Sequence, residues 1–225
     1  MASHTSRDFE VELRELRAHT LVMGARCERI LQTAFEGYWN GVDKAIAEVE
    51  ELDEKIDQDE LEIDALVLRI LALRQPVAYD LRFLATALKL VTDLERIGDE
   101  AVNISERIRR SAPSDRPPEL LEMADRAREM LRGALEAFVQ GDVEKAEKVV
   151  TGDDKVDDTY ATIVTRLTRS LADTKLEPEQ VERMLAMLQV AKYIERIADH
   201  ATNIGEHVIF MVGGQDVRHM RRQKS

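Results

Sequence analysis

Apolar residues recur at intervals of three and four along most of this chain, which is the period of an amphipathic α-helix. The opening stretch shows the pattern over residues 13–34, and it breaks at residues 37–41, where two glycines predict a turn. A second helix is predicted over residues 42–74. A third helix, with Pro76 in its first turn, is predicted to continue to about residue 110.

The same scheme returns after a proline-rich segment at residues 111–118. One helix is predicted to run to Gln140, and another runs from the turn at Gly141 to Asp173. The last helix opens at Pro178 and ends near residues 213–214. Apolar residues make up 44% of the chain but aromatic residues only 4%, so the core is aliphatic, which favours helices over a β-sandwich. The predicted fold class is all-α, with six long helices in two sets of three.

The two halves are related in sequence at a constant offset of 100 residues, and residues 88–106 align with residues 188–206. The identities are largely polar, which helical composition alone does not produce. We interpret the chain as a tandem duplication of a three-helix bundle. The first repeat spans residues 1–112, and the second spans residues 113–225 with a basic C-terminal tail. Identical pairs include Glu95/Glu195, Arg96/Arg196, Asp99/Asp199, Asn103/Asn203, Asp53/Asp153 and Asp57/Asp157.

Charge and composition exclude several classes of protein. The net charge of −12 argues against binding nucleic acid, and no apolar run reaches the roughly 20 residues that a membrane-spanning helix needs. The single Cys27 excludes a disulfide framework or a thiolate zinc site and, lying on an apolar helix face, is expected in the core. With no apolar N-terminal signal, we expect a cytoplasmic protein. The pattern does not decide whether Trp39 is a buried plug or an exposed anchor.

The basic tail is expected to be solvated, with weak contact to an anionic membrane surface as the alternative. Its cations are Arg218, Arg221, Arg222 and Lys224.

Each half carries two acidic pairs with i, i+4 spacing, so each pair presents two carboxylates on one helix face. If the second and third helices form a hairpin, both pairs lie roughly 30 Å from its turn and at the same level. At about 100° per residue they border the apolar arc. Four carboxylates should therefore converge at the rim of the core in each half. They are Asp53, Asp57, Glu95 and Asp99 in the first half, and Asp153, Asp157, Glu195 and Asp199 in the second.

Crowded carboxylates repel one another unless something neutralises them. Lys55 lies about 200° around its helix from Asp53, and Arg96 lies about 100° from Glu95, so neither is expected to serve. A multivalent cation such as Mg²⁺, Mn²⁺ or iron would accept these oxygens. The alternative is that they are solvated helix acids paired with Lys or Arg from a neighbouring helix.

The sequence disfavours catalysis. No histidine has a glutamate three residues before it, which argues against ferritin-like di-metal chemistry. His200 and His207 are expected at the surface or in caps rather than as metal ligands, since Glu100 and Arg107 occupy the equivalent positions. The chain has no P-loop, dinucleotide-binding glycine pattern or nucleophile elbow. We therefore expect a protein that is not an enzyme.

Several motifs together resemble the PhoU family. They are the Asp-Glu-Lys-Ile-Asp run at residues 53–57, the Leu-Arg-Gln-Pro-Val-Ala-Tyr-Asp-Leu-Arg segment at 73–82, and the related blocks at 93–104 and 193–204. The resemblance spans about residues 8–212. It implies a bacterial cytoplasmic regulator of phosphate homeostasis that represses the phosphate-starvation response and modulates phosphate uptake. It also implies partners, namely PstB, the ATPase subunit of the phosphate ABC transporter, and the sensor histidine kinase PhoR. A homodimer, reaching the inner face of the membrane only through partners, is expected.

The same resemblance implies divalent or multinuclear metal ions (Fe, Mn, Mg or Zn) on the eight carboxylates named above, with Glu106 and Glu206 as supports. The halves are not identical, because Asp64 has Val164 as its equivalent, and the two sites need not bind metal equally. Two alternatives stay open. The acidic faces of a metal-free adaptor could dock on basic partner surfaces. A carboxylate–metal hydrolase or oxidase is disfavoured by the missing histidine ligands.

Overall fold

The computed structural model describes residues 2–108, 117–172 and 175–214, with side chains from residue 7 onward. Over these residues the chain forms six α-helices and no β-strand, which confirms the predicted all-α class. The helices are α1 (Ala2–Asn40), α2 (Lys44–Arg74), α3 (Ala78–Ser105), α4 (Pro118–Gln140), α5 (Val143–Leu171) and α6 (Pro178–Gly213).

Three boundaries in the second half follow from capping residues, as predicted. Helix α4 ends at Gly141, whose left-handed φ of 63° lets its N–H donate to the carbonyl of Ala137. Helix α6 begins at Pro178, behind a capping box in which Glu177 and Gln180 satisfy each other's backbone N–H groups. It ends before Gly214, which has a φ of 71°.

The predicted turn at residues 37–41 is wrong in its position. Helix α1 continues through these residues to Asn40, and the turn begins at Gly41, with a φ of 66°. The helix continues because Tyr38 is fully buried, and Trp39 packs edge-on against it with ring centroids 5.3 Å apart. Trp39 is therefore a partly buried side chain packed against the core. Helix α2 begins at Lys44, two residues later than predicted.

The third helix is shorter than predicted at both ends. Pro76 lies outside α3, because Val77 adopts an extended conformation before the first helical residue, Ala78. At the other end α3 stops at Ser105, and the carbonyl of Val102 accepts both the Ser105 hydroxyl (2.8 Å) and the backbone N–H of Glu106 (3.0 Å). Asp173, most of the proline-rich segment (111–116) and the four cations of the basic tail lie outside the described residues.

The helices pack as two triplets that share one core. Helices α1–α3 contact one another, as do α4–α6, and the triplets meet through α3 with α6 and α1 with α4. Helices α3 and α6 are antiparallel, since Arg82 donates to the carbonyl of Met211 (2.9 Å) and Arg107 donates to Gln189 (2.9 Å). Cys27 is fully buried in the shared cluster, as predicted, and its thiol donates to the carbonyl of Leu94 (3.4 Å).

The duplication is visible in the burial of side chains. Residues 51–60 of α2 and residues 151–160 of α5 have the same sequence of exposed, half-buried and buried positions, residue by residue. The acidic residues of both helices therefore occupy equivalent places at the rim of the core.

Candidate functional site

The first acidic cluster lies where α2 packs on α3. Asp53 is half-buried and Asp57 is exposed on α2, whereas the Glu95 and Asp99 side chains on α3 are 19% and 45% exposed. In the sequence each of these acids comes directly after an apolar residue or a buried glycine of its helix. It therefore lies at the edge of the buried face. The structure thus places these four predicted residues along one helix–helix contact.

Asp53 reaches furthest into this contact. Its Oδ1 atom is buried and has no hydrogen-bond partner among the described residues. A β-carbon added to Gly98 of α3 would lie only 2.9 Å from that oxygen. Glycine at position 98 therefore leaves the space that the Asp53 carboxylate occupies, whereas the second repeat has Ala198 at the equivalent position.

The carboxylates of the first cluster repel one another across the two helices. Burial, followed by the charges of Asp57, Asp99 and Glu54, raises the pKa of Asp53 to about 6. Burial and the charge of Asp99 also raise the pKa of Glu95. Burial is the larger cause of both shifts, and the neighbouring carboxylates add to it, so the first cluster is a partly buried group of like charges.

Two further acids of α2 extend the first cluster toward the C-terminal end of that helix. Burial raises the pKa of both Glu60 and Asp64, and Thr92 of α3 donates to Glu60 (3.3 Å). Glu60 was not a predicted site residue. Its position seven residues after Asp53 on the same helix face is the signal that would have found it.

The expectation that Arg96 does not serve the cluster is wrong. Its guanidinium lies 3.3 Å from Glu95 and 3.2 Å from Asp99, because a long side chain can reach acids before and after it on its own helix. The Arg96 side chain is 57% exposed, so this is a surface ion pair. Lys55, as expected, does not neutralise the carboxylates of the cluster. It pairs with Glu51 instead (2.6 Å).

The second acidic cluster repeats the arrangement on α5 and α6. Partial burial and the charges of Glu195 and Asp157 raise the pKa of Asp199 to about 6, and burial and Glu195 raise the pKa of Asp157. Asp153 is half-buried, like Asp53. Lys192 is the counter-ion here, with its ammonium 2.6 Å from Oε1 of Glu195.

The two predicted supporting acids differ in their surroundings. Glu106 is exposed and pairs with Arg107 (3.3 Å), just beyond the end of α3. Glu206 lines an open groove between α3 and α6, whose other walls include Arg96, Arg196 and Asp199. Glu206 thus lies beside Asp199, a member of the second acidic cluster, in a shared depression.

The donor set fits a hard cation in its chemistry. Every candidate ligand is a carboxylate oxygen, and Asp53 presents a buried oxygen that has no hydrogen-bond partner in the described part of the chain. Across residues 7–108, 117–172 and 175–214, however, no three or more His, Cys, Asp or Glu side chains are already arranged as a metal site. Binding would require the carboxylates to rotate toward one point and Arg96 or Lys192 to withdraw.

Sequence reasoning missed a buried polar cluster between the halves. Asp93 of α3 is 8% exposed, and its Oδ1 lies 2.9 Å from Nδ1 of His200 and accepts from Asn203 (3.1 Å). Its Oδ2 lies 3.3 Å from Nε2 of His207. Burial raises the pKa of Asp93, but the hydrogen bonds of His200, His207 and Asn203 outweigh it and hold that pKa below the ordinary value. The expectation that both histidines lie at the surface or in caps is therefore wrong.

In the part of the chain that the structure describes, none of the helices is both long enough and apolar enough to cross a bilayer.

Known proteins are similar to this chain in both sequence and fold. The family profile described as the PhoU domain matches residues 20–108 and again residues 120–208, with the same offset of 100. The phosphate-specific transport system accessory protein PhoU homolog of Pseudomonas putida is 38% identical over 224 residues, covering 98% of this chain and 86% of the relative. The Escherichia coli K12 accessory protein PhoU is 34% identical over 221 residues, covering 96% and 90%.

Solved structures agree with the observed architecture. The crystal structure of PhoU from Pseudomonas aeruginosa is 34% identical with a TM-score of 0.86, covering 92% of this chain and all of that one. The phosphate transport system regulatory protein PhoU from Streptococcus pneumoniae, at 24% identity and the same TM-score of 0.86, supports the fold alone over 93% and 99% of the two chains. With both repeats matched by one profile and nearly the whole chain by relatives above 30% identity, this protein belongs to the PhoU family.

Proposed function

We propose that this protein is a cytoplasmic regulator of phosphate homeostasis, an accessory of a phosphate transport system that represses the phosphate-starvation response and modulates phosphate uptake. In this role it is a non-enzymatic adaptor between PstB, the ATPase subunit of the phosphate ABC transporter, and the sensor histidine kinase PhoR. Support comes from its family and from relatives named as accessory proteins of the phosphate-specific transport system.

The observation that carries the proposal is the duplicated acidic rim. Each half presents carboxylates of two adjacent helices at the edge of the core, and burial together with neighbouring carboxylates raises the pKa values of Asp53 and Asp199. Such a rim is well placed to change its charge when a cation binds, without any change in the buried core. An adaptor needs that kind of surface, whose affinity for a partner can be altered.

We further propose that the two clusters bind divalent or multinuclear metal ions (Fe, Mn, Mg or Zn). A bound cation would supply positive charge and bridge carboxylates of neighbouring helices. The chain's own part is to hold oxygens from two helices at one level, with Gly98 leaving room for Asp53. The ligands are Asp53, Asp57, Glu95 and Asp99 in the first half, and Asp153, Asp157, Glu195 and Asp199 in the second.

The test is partner binding with and without metal. The full-length protein, prepared without chelator, is titrated against purified PstB and against the cytoplasmic part of PhoR, in Mn²⁺ and in EDTA. Expected is binding that weakens in EDTA and in Glu95→Ala combined with Asp99→Ala, while helicity by circular dichroism is unchanged. The matched control is Glu122→Ala combined with Arg126→Ala, an exposed i, i+4 pair on α4. Binding of neither partner under any condition would contradict the adaptor role.

A metal-free docking adaptor is the second candidate, and one observation favours it. Arg96 and Lys192 already contact the acids of the two clusters, so part of the charge is balanced without a metal ion. Here the acidic faces would contact basic patches on the partners directly. Partner binding that is unaffected by EDTA but falls steeply with added salt would support this version.

We also propose that the protein is a homodimer that reaches the inner face of the membrane only through its partners. Sedimentation equilibrium over a range of concentrations tests the dimer, and a mass near that of one 25.6 kDa chain throughout would contradict it.

A further inference from the structure

Two positions beside the acidic clusters differ between the repeats, and they differ together. In the first half Thr92 donates to Glu60 (3.3 Å), so a hydroxyl and a carboxylate face each other. The equivalent positions in the second half hold Lys192 and Tyr160. The Lys192 ammonium lies 5.4 Å from the centre of the Tyr160 ring and 2.6 Å from Oε1 of Glu195.

We propose that Lys192 is a built-in occupant of the second acidic cluster, so that the first half is the stronger of two unequal cation sites and fills first. This inference rests on the proposed function, in which the acidic clusters bind divalent cations. It states which half binds the cation more tightly and names the residue that causes the difference in affinity.

The contacts of Lys192 place its charge where a cation would bind. Its ammonium contacts both oxygens of Glu195, whose side chain is 13% exposed. It also interacts electrostatically with Asp157 and Asp199 across the cluster. A divalent ion that used these oxygens would have to displace an ammonium group held by Glu195 on one side and by the face of Tyr160 on the other.

The arginines of the two repeats strengthen the contrast. Arg196, the equivalent of Arg96, is directed to Glu100 of α3 (3.2 Å), so it balances an acid of the other half. Lys192 therefore takes the place of a counter-ion in the second cluster. In the first cluster Arg96 contacts Glu95 and Asp99, but its side chain is 57% exposed against 39% for Lys192, so its contacts cost less to break, and Glu60 adds a carboxylate.

The test measures each half separately in the full-length chain. Glu95→Gln combined with Asp99→Asn removes the first cluster, and Mn²⁺ binding by the second is measured by equilibrium dialysis with elemental analysis. Adding Lys192→Thr, which installs the first half's residue, is expected to tighten Mn²⁺ binding about tenfold or more, because a nearby positive charge is removed. The control, Lys155→Thr, removes the same charge from an exposed position on α5.

The reciprocal exchange tests the same idea from the other side. In a chain whose second cluster is removed by Glu195→Gln combined with Asp199→Asn, Thr92→Lys is expected to weaken Mn²⁺ binding by a similar factor of about ten. If Lys192→Thr does not fold, as judged by circular dichroism, Lys192→Gln removes the charge and keeps much of the side-chain length.

The outcomes separate this inference from the proposal on which it rests. Equal affinities of the two halves, no gain with Lys192→Thr, or the same gain with Lys155→Thr would overturn the inference and leave cation binding intact. If the chain with both clusters intact bound Mn²⁺ only after Lys192→Thr, the first half would not bind the cation. That result would overturn the inference that the first half fills first. No binding by any variant would overturn both.

Discussion

Asp53 on α2 and Gly98 on α3 fit together so closely that a β-carbon on Gly98 would lie 2.9 Å from Oδ1 of Asp53. The same oxygen is buried and, among the described residues, has no hydrogen-bond partner. The missing side chain at position 98 therefore leaves room for the Asp53 carboxylate in this contact. Leaving a buried carboxylate oxygen unsatisfied costs free energy, which points to a functional rather than a structural reason for this contact.

The first prediction is that Gly98→Ala displaces the Asp53 carboxylate toward solvent. The pKa of Asp53, about 6 in the wild type, should then fall toward its ordinary value, because the group escapes burial. An NMR titration of the side-chain carboxyl carbon of Asp53 measures this pKa directly. Gly152→Ala is the control, since its new β-carbon would meet Met130 at an ordinary 3.7 Å, and it should leave the titration unchanged. An unchanged Asp53 titration in Gly98→Ala would show that the carboxylate does not depend on this glycine.

The second prediction concerns how the free energy of unfolding of the metal-free protein, kept in EDTA, changes with pH. Because the folded-state pKa of Asp53 is about 6 and the ordinary value is 3.8, the folded state holds its proton more tightly. The wild type should therefore lose stability as the pH rises from the ordinary pKa of 3.8 through the folded-state pKa of about 6. Asp53→Asn removes the penalty and should be about 1 kcal/mol more stable at pH 7, after allowance for solvent screening. The difference should vanish near pH 4.

Urea denaturation at several pH values in EDTA measures that difference. Glu54→Gln removes the same charge from an exposed neighbour on α2 and should change stability much less. A gain in Asp53→Asn that is the same at pH 4 and pH 7 would mean that it does not come from the ionised carboxylate.

The helix boundaries that sequence reasoning located correctly are those with local chemical causes. Gly141 supplies a left-handed residue after α4, and Pro178 suits the first position of α6. One of the boundaries that it misplaced, at residues 37–41, depends on tertiary packing. Burial of Tyr38 continues α1 past Gly37, although glycine lowers helix propensity.

The candidate site could be predicted in part for the same reason. The i, i+4 spacing identifies carboxylates that share a helix face, and the constant offset of 100 residues identifies their counterparts. The sequence does not reveal that α3 of one half packs antiparallel to α6 of the other. The contact of Asp93 with His200 and the pair of Arg196 with Glu100 depend on that packing. Neither pair has a signal along the chain.

The third prediction is that Asp93→Asn destabilises the protein by about 2–3 kcal/mol at pH 7. The substitution keeps the shape of Asp93 but removes the charged acceptor shared by His200, His207 and Asn203 in a buried setting. Because the pKa of Asp93 lies below its ordinary 3.8, its contribution is present above that value and is lost as pH falls below it. Urea denaturation at pH 7 and pH 3 measures both effects.

Asp125→Asn is the matched control for this prediction. Asp125 is an exposed acid on α4 whose ion pair with Arg128 spans 3.8 Å, and its loss should cost less than about 0.5 kcal/mol. A comparably small cost for Asp93→Asn would mean that the polar cluster does not hold the two halves together.

The fourth prediction concerns the loop between α2 and α3. Gln75 and Ala78 adopt left-handed φ values of 48° and 49°, a conformation that costs a residue with a β-carbon roughly 1–2 kcal/mol. Gln75→Gly removes this strain at the end of α2, as Gly141 does after α4, and should stabilise the protein by about 1 kcal/mol. Thermal and urea unfolding measure the gain. Leu73→Gly, inside the last turn of α2, is the opposite control and should destabilise it by about 1 kcal/mol. If Gln75→Gly destabilises the protein instead, the Gln75 side chain must contribute more to the loop than its backbone strain costs.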